Sequence, residues 1–311
     1  MIKQTLYFGN PAYLTLKNNQ LVIRLPEVEK NETLSENFKK EAFATRPIED
    51  IGIVILDNKQ ITITQGLITA LLENNTAIIQ CNNTHHPIGL MLNLDGNTLQ
   101  TRRFKAQIEA TEPLKKQLWQ QTVVSKIENQ ASLLQSLNKD IKPLEFMIRS
   151  VKSGDPDNFE ARAAAHYWKN LFSDYIPDFT RDREGIPPNN MLNYGYAILR
   201  AAVARALVGS GLLPTLGIFH RNQYNAYCLA DDIMEPYRPF VDRAVFEYLK
   251  SGKQVPENLD LEAKQHLMQV LQQDIHFDKD RSPLMVGLTK TTASLSACFE
   301  GTKRKINYPE I

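Results

Sequence analysis

Three short segments in the second half of this 311-residue chain each carry one side chain that can bind a divalent metal ion. Glu160 lies in NFEARAAAHYW, His220 ends GIFH, and Glu235 lies in DDIMEPYRP. Two carboxylates and one imidazole suit an open site for a hard divalent ion, which activates a hydroxyl or water nucleophile and neutralises charge on a phosphodiester. The nitrogen ligand favours manganese somewhat over magnesium.

Glu160 and His220 also have interpretations without chemistry. Glu160 suits the first turn of a helix capped by Asp157 or Asn158, because an acid there is stabilised by the helix dipole. His220 ends an apolar, strand-like run, where a histidine is commonly a core imidazole with satisfied nitrogens. Either residue taken alone favours the structural interpretation.

The third segment crowds three acids, Asp231, Asp232 and Glu235, into one helical turn. Asp232 followed by Glu235 resembles an acidic capping box, and a proline is tolerated in a first turn. Three adjacent carboxylates repel one another unless a cation or a basic side chain such as Arg238 neutralises them. The crowding therefore favours a functional site over a cap.

Other catalytic signatures are absent from the sequence. It contains no GxxxxGK[ST], GxGxxG, GxSxG or HExxH motif, so nucleotide hydrolysis, dinucleotide redox chemistry and serine hydrolysis lose support. His85 and His86 are adjacent and would face opposite ways in a strand, so they are interpreted as surface or loop histidines.

The composition indicates a soluble globular protein without a strong charge bias. The net charge is +1, so binding to DNA requires basic side chains gathered locally on one face. The three cysteines, Cys81, Cys228 and Cys298, show no CxxC spacing, which favours a reducing compartment. The sequence has no apolar run long enough for a membrane span. These features predict a cytoplasmic location.

The two parts of the chain differ in texture. Short β-branched and aliphatic runs separated by turn formers dominate residues 1–96, and apolar residues recur at helical spacing from about residue 99. Predicted strands cover 21–25, 51–56, 61–64 and 77–81; predicted helices cover 65–73, 104–137 with a break at Pro113, 160–172, 190–210, 235–249, 261–272 and 284–300. The sequence predicts an α+β fold, with a small β-rich N-terminal domain (1–96) followed by a larger all-α catalytic domain (97–311).

Several unrelated sequence words occur in a specific order through nearly the whole chain. They are NNTAIIQC, HHPIGL, EARAAAHYW, IPPNNMLNYGYAILRA, GIFHRN, DDIMEPYRP and TTASLSACFEG. Together they resemble the CRISPR-associated spacer integrase family, specifically the short form found beside type II interference systems.

The resemblance implies a metal-dependent DNA integrase and endonuclease of CRISPR adaptation, a step of antiviral defence in prokaryotes. Its metal and catalytic residues fall on Glu160, His220 and Glu235, with Mg²⁺ or Mn²⁺ as the ion. Many relatives have aspartate at the third position, whereas the type II branch resembles this chain in having glutamate. Asp232 is then a supporting residue or an alternative ligand. Each 3′-hydroxyl of a pre-spacer would attack a repeat phosphodiester, and water would replace the hydroxyl in hydrolysis.

The resemblance also implies partners. It predicts a homodimer, two of which flank a dimer of a small ferredoxin-like protein in a four-plus-two complex, with residues 1–96 serving dimerisation and partner contact. The complex holds a double-stranded pre-spacer and the repeat array, and an effector nuclease is a further candidate partner. Because spacers vary in sequence, DNA contacts should be to phosphates. The candidate contacts are Lys169, Arg181, Arg183, Arg221, Arg238 and Lys290, each of which could instead lie on a solvated face.

Two rival functions use the same residues differently. A stand-alone metal-dependent nuclease of DNA repair would cut DNA without the small partner and join nothing. A non-catalytic DNA-binding scaffold would use the acids only as helix caps, and their replacement by alanine would leave DNA processing unchanged.

Overall fold

The structure is a computed structural model that describes residues 3–29, 43–277 and 280–311. The chain divides into two compact units, Met1–Gly96 and Asn97–Ile311. The first unit is mainly strands and the second mainly helices, so the predicted fold class is confirmed.

The described residues of the first unit, 3–29 and 43–96, form two four-stranded sheets. Its elements are β1 (Gln4–Phe8), β2 (Ala12–Lys17), β3 (Gln20–Arg24), α1 (Pro26–Glu29), β4 (Phe43–Pro47), β5 (Ile51–Leu56), β6 (Ile61–Ile63), α2 (Gln65–Glu73), β7 (Ala77–Cys81) and β8 (Pro87–Met91). One sheet has the order β1-β5-β7-β8 and the other β4-β3-β2-β6. Parallel neighbours hold β5 on both sides, which explains its unbroken apolar sequence IGIVIL.

The second unit is built around one long buried helix. The helices described in this unit are α3 (Gln100–Ile108), α4 (Glu112–Ser136), α5 (Lys142–Ser150), α6 (Phe159–Leu171), α7 (Asn189–Gly209), α8 (Cys228–Met234), α9 (Arg238–Lys250), α10 (Leu261–Gln269) and α11 (Leu284–Phe299). The central helix is α7. Small and aliphatic residues on several faces of α7 let it pack against α8, α9, α10 and α11. A hydrophobic sequence all round a helix is typical of such a central position.

Several predicted boundaries needed correction. The segment 104–137, predicted with a break at Pro113, is two helices, but the break lies at residues 109–111. Pro113 lies in the first turn of α4, where Thr111 caps the Leu114 amide at 3.4 Å. Proline favours that position because the missing N–H has no partner in a first turn. The expected helix over 235–249 begins with a 3₁₀ turn, Glu235–Tyr237, which joins α8 to α9.

Some elements of the second unit were not predicted. Helices α5 and α8 were missed, and a two-stranded antiparallel pair, β9 (Asp274–Phe277) with β10 (Asp280–Pro283), interrupts the helices. Within the described residues, Cys81, Cys228 and Cys298 are not in disulfide bonds. No helix in the described part of the chain combines the length and apolar character needed to cross a lipid bilayer.

Candidate metal centre

Glu160 lies in the first turn of α6, at a helix start held by an upstream aspartate. Asp155 accepts hydrogen bonds from the Phe159 and Glu160 amides, each at 2.9 Å, so it satisfies two of the N–H groups that a helix start leaves unpaired. Asn158 has a left-handed φ of 51° and makes no side-chain cap. Asn158 thus occupies the N-cap position, one of the two alternatives predicted, but the capping hydrogen bonds come from Asp155 and not from Asp157 or Asn158.

Asp155→Ala is expected to lower the free energy of unfolding by about 2 kcal/mol, because two amides at a buried helix start lose their acceptor. The matched control is Asp157→Ala, whose half-exposed carboxylate lies 3.7 Å from Lys152 Nζ. That control should change stability by less than about 0.5 kcal/mol. Urea unfolding of both variants measures the difference, and equal effects would contradict this account of the cap.

Glu235 is presented by the 3₁₀ turn between α8 and α9. Asn129 on α4 donates to the Pro236 carbonyl at 2.8 Å and so ties this turn to α4. Glu235 is 5% exposed, and such a carboxylate needs partners to remain ionised. Arg238 supplies one of them, with its Nε 2.8 Å from Glu235 Oε1.

Lys126 bridges the two glutamates. Its Nζ lies 2.5 Å from Glu160 Oε1 and 2.6 Å from Glu235 Oε2, and its side chain is only 9% exposed. Although Oε2 of Glu235 is close to the ammonium, it accepts no well-aligned hydrogen bond from the described residues. The two carboxylates, distant in sequence, therefore converge on one cationic position.

The charges at this position shift the pKa values of its members. Burial alone would raise the pKa of Glu235, but Arg238 and Lys126 outweigh it and lower the pKa to about 2. Burial would lower the pKa of Lys126, but the charges of Glu235 and Glu160 outweigh it and raise the pKa above its usual value. Glu235 is thus anionic and Lys126 cationic at neutral pH.

His220 is oriented by the fully buried carboxylate of Asp232. Nδ1 of His220 lies 2.6 Å from Asp232 Oδ1, which leaves Nε2 as the free ring nitrogen. A neutral imidazole that donates from Nδ1 presents a lone pair on Nε2, the usual arrangement of a metal-binding histidine. The hydrogen bond to Asp232 raises the pKa of His220, and the charges of Asp232, Glu235 and Glu160 add to this effect.

Asp232 also shapes the loop that carries His220. Its two oxygens accept from the amides of Ile218 at 2.7 Å, Phe219 at 3.0 Å and His220 at 3.1 Å. A Cβ on Gly217 would come within 2.8 Å of Asp232 Oδ2, so only glycine permits this approach. Asp232 lies within α8 and is not a helix cap, and its oxygens are occupied by the loop.

The segment before His220 is a loop and not the strand-like run that was expected. Gly211 has a φ of 70°, and the Pro214 carbonyl accepts from the amides of Leu229 and Ala230. Proline and a left-handed glycine are incompatible with a regular strand. Trp119 on α4 stacks on Phe219 with ring centroids 4.2 Å apart, which anchors the loop to the helix that carries Lys126.

The three clustered acids have separate partners. Asp231 pairs with Arg200 at 2.6 Å and with Asn225 at 2.7 Å, whereas Asp232 holds the histidine loop and Glu235 faces Lys126 and Arg238. The expectation that Arg238 neutralises part of the crowding agrees with this geometry.

One observation indicates that these ligands fit a divalent cation. The carboxylates of Glu160 and Glu235 converge on the single cationic group of Lys126. Oxygen ligands with one imidazole suit Mg²⁺ or Mn²⁺. Within residues 3–29, 43–277 and 280–311, no three acidic, histidine or cysteine side chains converge closely enough to form a finished ion site. The ammonium of Lys126 lies between the carboxylates, so a tighter cluster requires it to move.

The six basic residues proposed to contact DNA divide into two groups. Lys169 and Arg183 are exposed, and Lys169 lines a cavity with Trp168, Phe179 and Arg181. The other four contact protein groups: Arg181 contacts Asn189 and Asn193, Arg221 contacts Glu112, Arg238 contacts Glu235, and Lys290 contacts Asp280. Arg238 thus has a structural partner at the centre itself.

Four residues of the centre were missed in the sequence: Lys126, Asn129, Asp155 and Trp119. A signal for Lys126 exists, because it shares a helix face with Trp119, Val123 and Ile127. A lysine on an apolar face needs a buried acid as partner.

This chain is similar to several known proteins in sequence and in fold. The family model described as CRISPR associated protein Cas1 matches residues 6–274. The CRISPR-associated endonuclease Cas1 of Neisseria meningitidis serogroup C (strain 8013) is 35% identical over 100% of this chain and 97% of its own length. A casposase bound to integration product has a similar fold, with a TM-score of 0.75 at 20% identity, covering 99% of this chain and 93% of that one. A Cas6-RT-Cas1–Cas2 complex matches with a TM-score of 0.72 at 20% identity, covering 99% of this chain and 36% of that one. The chain therefore belongs to the Cas1 family of CRISPR-associated proteins.

Proposed function

We propose that Glu160, His220 and Glu235 hold one Mg²⁺ or Mn²⁺ ion, with which this Cas1-family endonuclease inserts pre-spacer DNA into a CRISPR repeat array. The observation that carries the proposal is the convergence of the Glu160 and Glu235 carboxylates on one cationic position. Asp232 supports it by leaving the Nε2 atom of His220 free. A bound ion lowers the pKa of a coordinated hydroxyl and offsets charge at phosphorus.

The protein groups keep the ligands in the required state. Asp232 fixes the ring orientation of His220, which is the part that a supporting carboxylate plays at many metal sites. Arg238 and Lys126 keep Glu235 ionised, and Asp155 fixes the helix start at which Glu160 lies. With a 3′-hydroxyl as nucleophile the outcome is strand joining, and with water it is hydrolysis.

The proposed partners follow from the family. Solved relatives include a casposase bound to integration product and a complex of Cas1 with Cas2. We expect this chain likewise to bind double-stranded pre-spacer and repeat DNA, to form a homodimer, and to assemble with a small ferredoxin-like dimer in a four-plus-two complex. Residues 1–96 are the proposed region of dimerisation and partner contact. The proposed location of the protein is the cytoplasm of a prokaryote. Lys169 and Arg183 are the exposed candidates for phosphate contacts.

The test is a strand-joining assay with the purified full chain. The protein, with and without its small partner, is incubated with a labelled 3′-hydroxyl duplex and a supercoiled repeat plasmid, in manganese or EDTA. Partner-stimulated joining in manganese that disappears in EDTA is the expected result. Metal-dependent cutting without joining would favour the repair nuclease. Loss of all metal-dependent processing, with DNA binding retained, would favour the scaffold.

A further inference from the structure

Lys126 is a buried lysine that helps to keep Glu235 ionised but has no further part in the proposed reaction. It lies on a face of α4 that is buried along its length, among the polar side chains of Thr122, Asn129 and Gln130. Its ammonium contacts both proposed carboxylate ligands, at 2.5 and 2.6 Å. A lysine is buried only where paired charges offset its loss of hydration.

The two glutamates and the two basic side chains that contact them are balanced in charge when no ion is bound. Glu160 and Glu235 carry two negative charges, and Lys126 and Arg238 carry two positive charges. Among these four side chains, a divalent ion added between the glutamates would leave an excess of two positive charges in a largely buried place, which is costly. Removing that excess requires both that one cation moves away and that an anionic ligand enters with the ion.

Lys126 is the cation that is able to move. Arg238 lies three residues from Glu235, and its guanidinium also stacks over the Tyr196 ring at 4.5 Å from the centroid. A planar guanidinium held on two sides is difficult to displace. The ammonium of Lys126 is a compact charge on a flexible four-carbon stem, so it can leave the carboxylates without any movement of α4.

We propose that Lys126 is a built-in counter-cation: its ammonium occupies the cation position between Glu160 and Glu235 in the free protein and exchanges to a DNA phosphate when a divalent ion enters. The inference rests on the proposed function of these glutamates. DNA supplies both negative charges, one phosphate at the ion and another for the released ammonium. Ion binding and DNA binding are therefore cooperative, and Lys126 suppresses ion binding in the absence of DNA.

The test is a titration of the full-length protein with Mn²⁺, in which free Mn²⁺ is followed by its electron paramagnetic resonance signal. Each variant is measured alone and with a 3′-hydroxyl duplex. In the wild type, DNA should tighten Mn²⁺ binding by a factor of about 5 to 150, the usual range of coupling between two sites. Lys126→Met should bind Mn²⁺ about tenfold more tightly than wild type without DNA, and should lose most of the enhancement by DNA.

A second variant should shift affinity in the opposite direction. Arginine at position 126 offers a fork of donors to the two carboxylates and holds them more firmly than an ammonium does. Lys126→Arg should therefore bind Mn²⁺ more weakly than wild type without DNA. The matched control is Lys105→Met on α3, whose side chain is 73% exposed and 3.9 Å from Glu109; it should leave Mn²⁺ binding unchanged.

The outcomes separate this inference from the proposed function. Absence of Mn²⁺ binding to wild type with or without DNA, or unaltered binding in His220→Ala, would overturn the metal site itself. Wild-type binding combined with equal or weaker binding in Lys126→Met would overturn the counter-cation alone. A melting curve verifies that each variant is folded. If Lys126→Met does not fold, equal or tighter binding in Lys126→Arg overturns the inference.

Discussion

His220→Ala is expected to slow strand joining about 10³-fold or more while leaving the protein folded. The variant loses the proposed nitrogen ligand, and a bound ion contributes several kcal/mol of transition-state stabilisation, of which each 1.36 kcal/mol is tenfold in rate. His220 is partly exposed in a loop, and the three loop amides keep their bonds to Asp232. The loss should therefore be chemical and not structural.

Single-turnover joining in manganese measures this effect, with two further variants for comparison. Asp232→Asn should reduce joining about 10- to 100-fold, the usual effect of removing a carboxylate that orients a metal-binding histidine. Tyr224→Ala, in the same loop and 88% exposed, should retain wild-type joining. Joining by His220→Ala within a few-fold of wild type would exclude the imidazole as a ligand.

Asp242→Asn is expected to stabilise the protein at alkaline pH. Asp242 is 1% exposed and accepts hydrogen bonds from the hydroxyls of Tyr167 and Tyr196. Burial raises its pKa to about 7, although both tyrosines and the charges of Arg238 and Arg181 oppose the increase. The folded protein therefore holds this proton at pH values where the unfolded chain, with an ordinary aspartate pKa near 3.9, has released it.

The sign of the pH dependence follows from this proton. Between about pH 4 and pH 7 the folded state binds more protons than the unfolded state, so the free energy of unfolding falls as the pH rises. The contribution of this proton is lost once the pH has passed the folded pKa. The total contribution is roughly 4 kcal/mol at 1.36 kcal/mol per pKa unit. Asp242→Asn removes it, so the stability gain over wild type should grow from near zero at pH 4 to several kcal/mol at pH 8.

Urea unfolding at intervals from pH 4 to pH 8 checks this expectation. The control is Asp140→Asn, because Asp140 is exposed and its side chain accepts from the Lys142 amide, which asparagine can also do. The control should follow the wild-type profile. A constant offset between Asp242→Asn and wild type across the range would show that Asp242 does not titrate there.

The fold class was predictable because elements that are buried in the folded protein have recognisable apolar patterns in their local sequence. The continuous apolar run of β5 and the all-round apolar surface of α7 each indicate a buried element. The strand order β4-β3-β2-β6 was not predictable, because it depends on pairing between segments distant in the chain. β2 was missed although its polar and apolar residues alternate as in a half-buried strand.

The candidate ligands were visible in the sequence, whereas their supports were not. Glu160, His220 and Glu235 could be named because the sequence words that carry them resemble the motifs of one family, although Glu160 and His220 taken alone each favoured a structural interpretation. Lys126 lies in a helix rich in glutamine and lysine, where a lysine ordinarily faces solvent. The apolar residues beside it on α4 indicate burial, whereas the packing of α4 against α6 and the 3₁₀ turn identifies the two glutamates as its partners.

Three side chains of helix α4 contact different parts of the centre, and the helix fixes their positions around its axis relative to one another. Trp119 supports the His220 loop, Lys126 joins the glutamates, and Asn129 holds the turn before Arg238. A single inserted residue turns everything after it by about 100° around the helix axis. An insertion between Trp119 and Lys126 would therefore point the ammonium away from the glutamates while the tryptophan stays in place. Natural length variation in this protein should therefore avoid that interval.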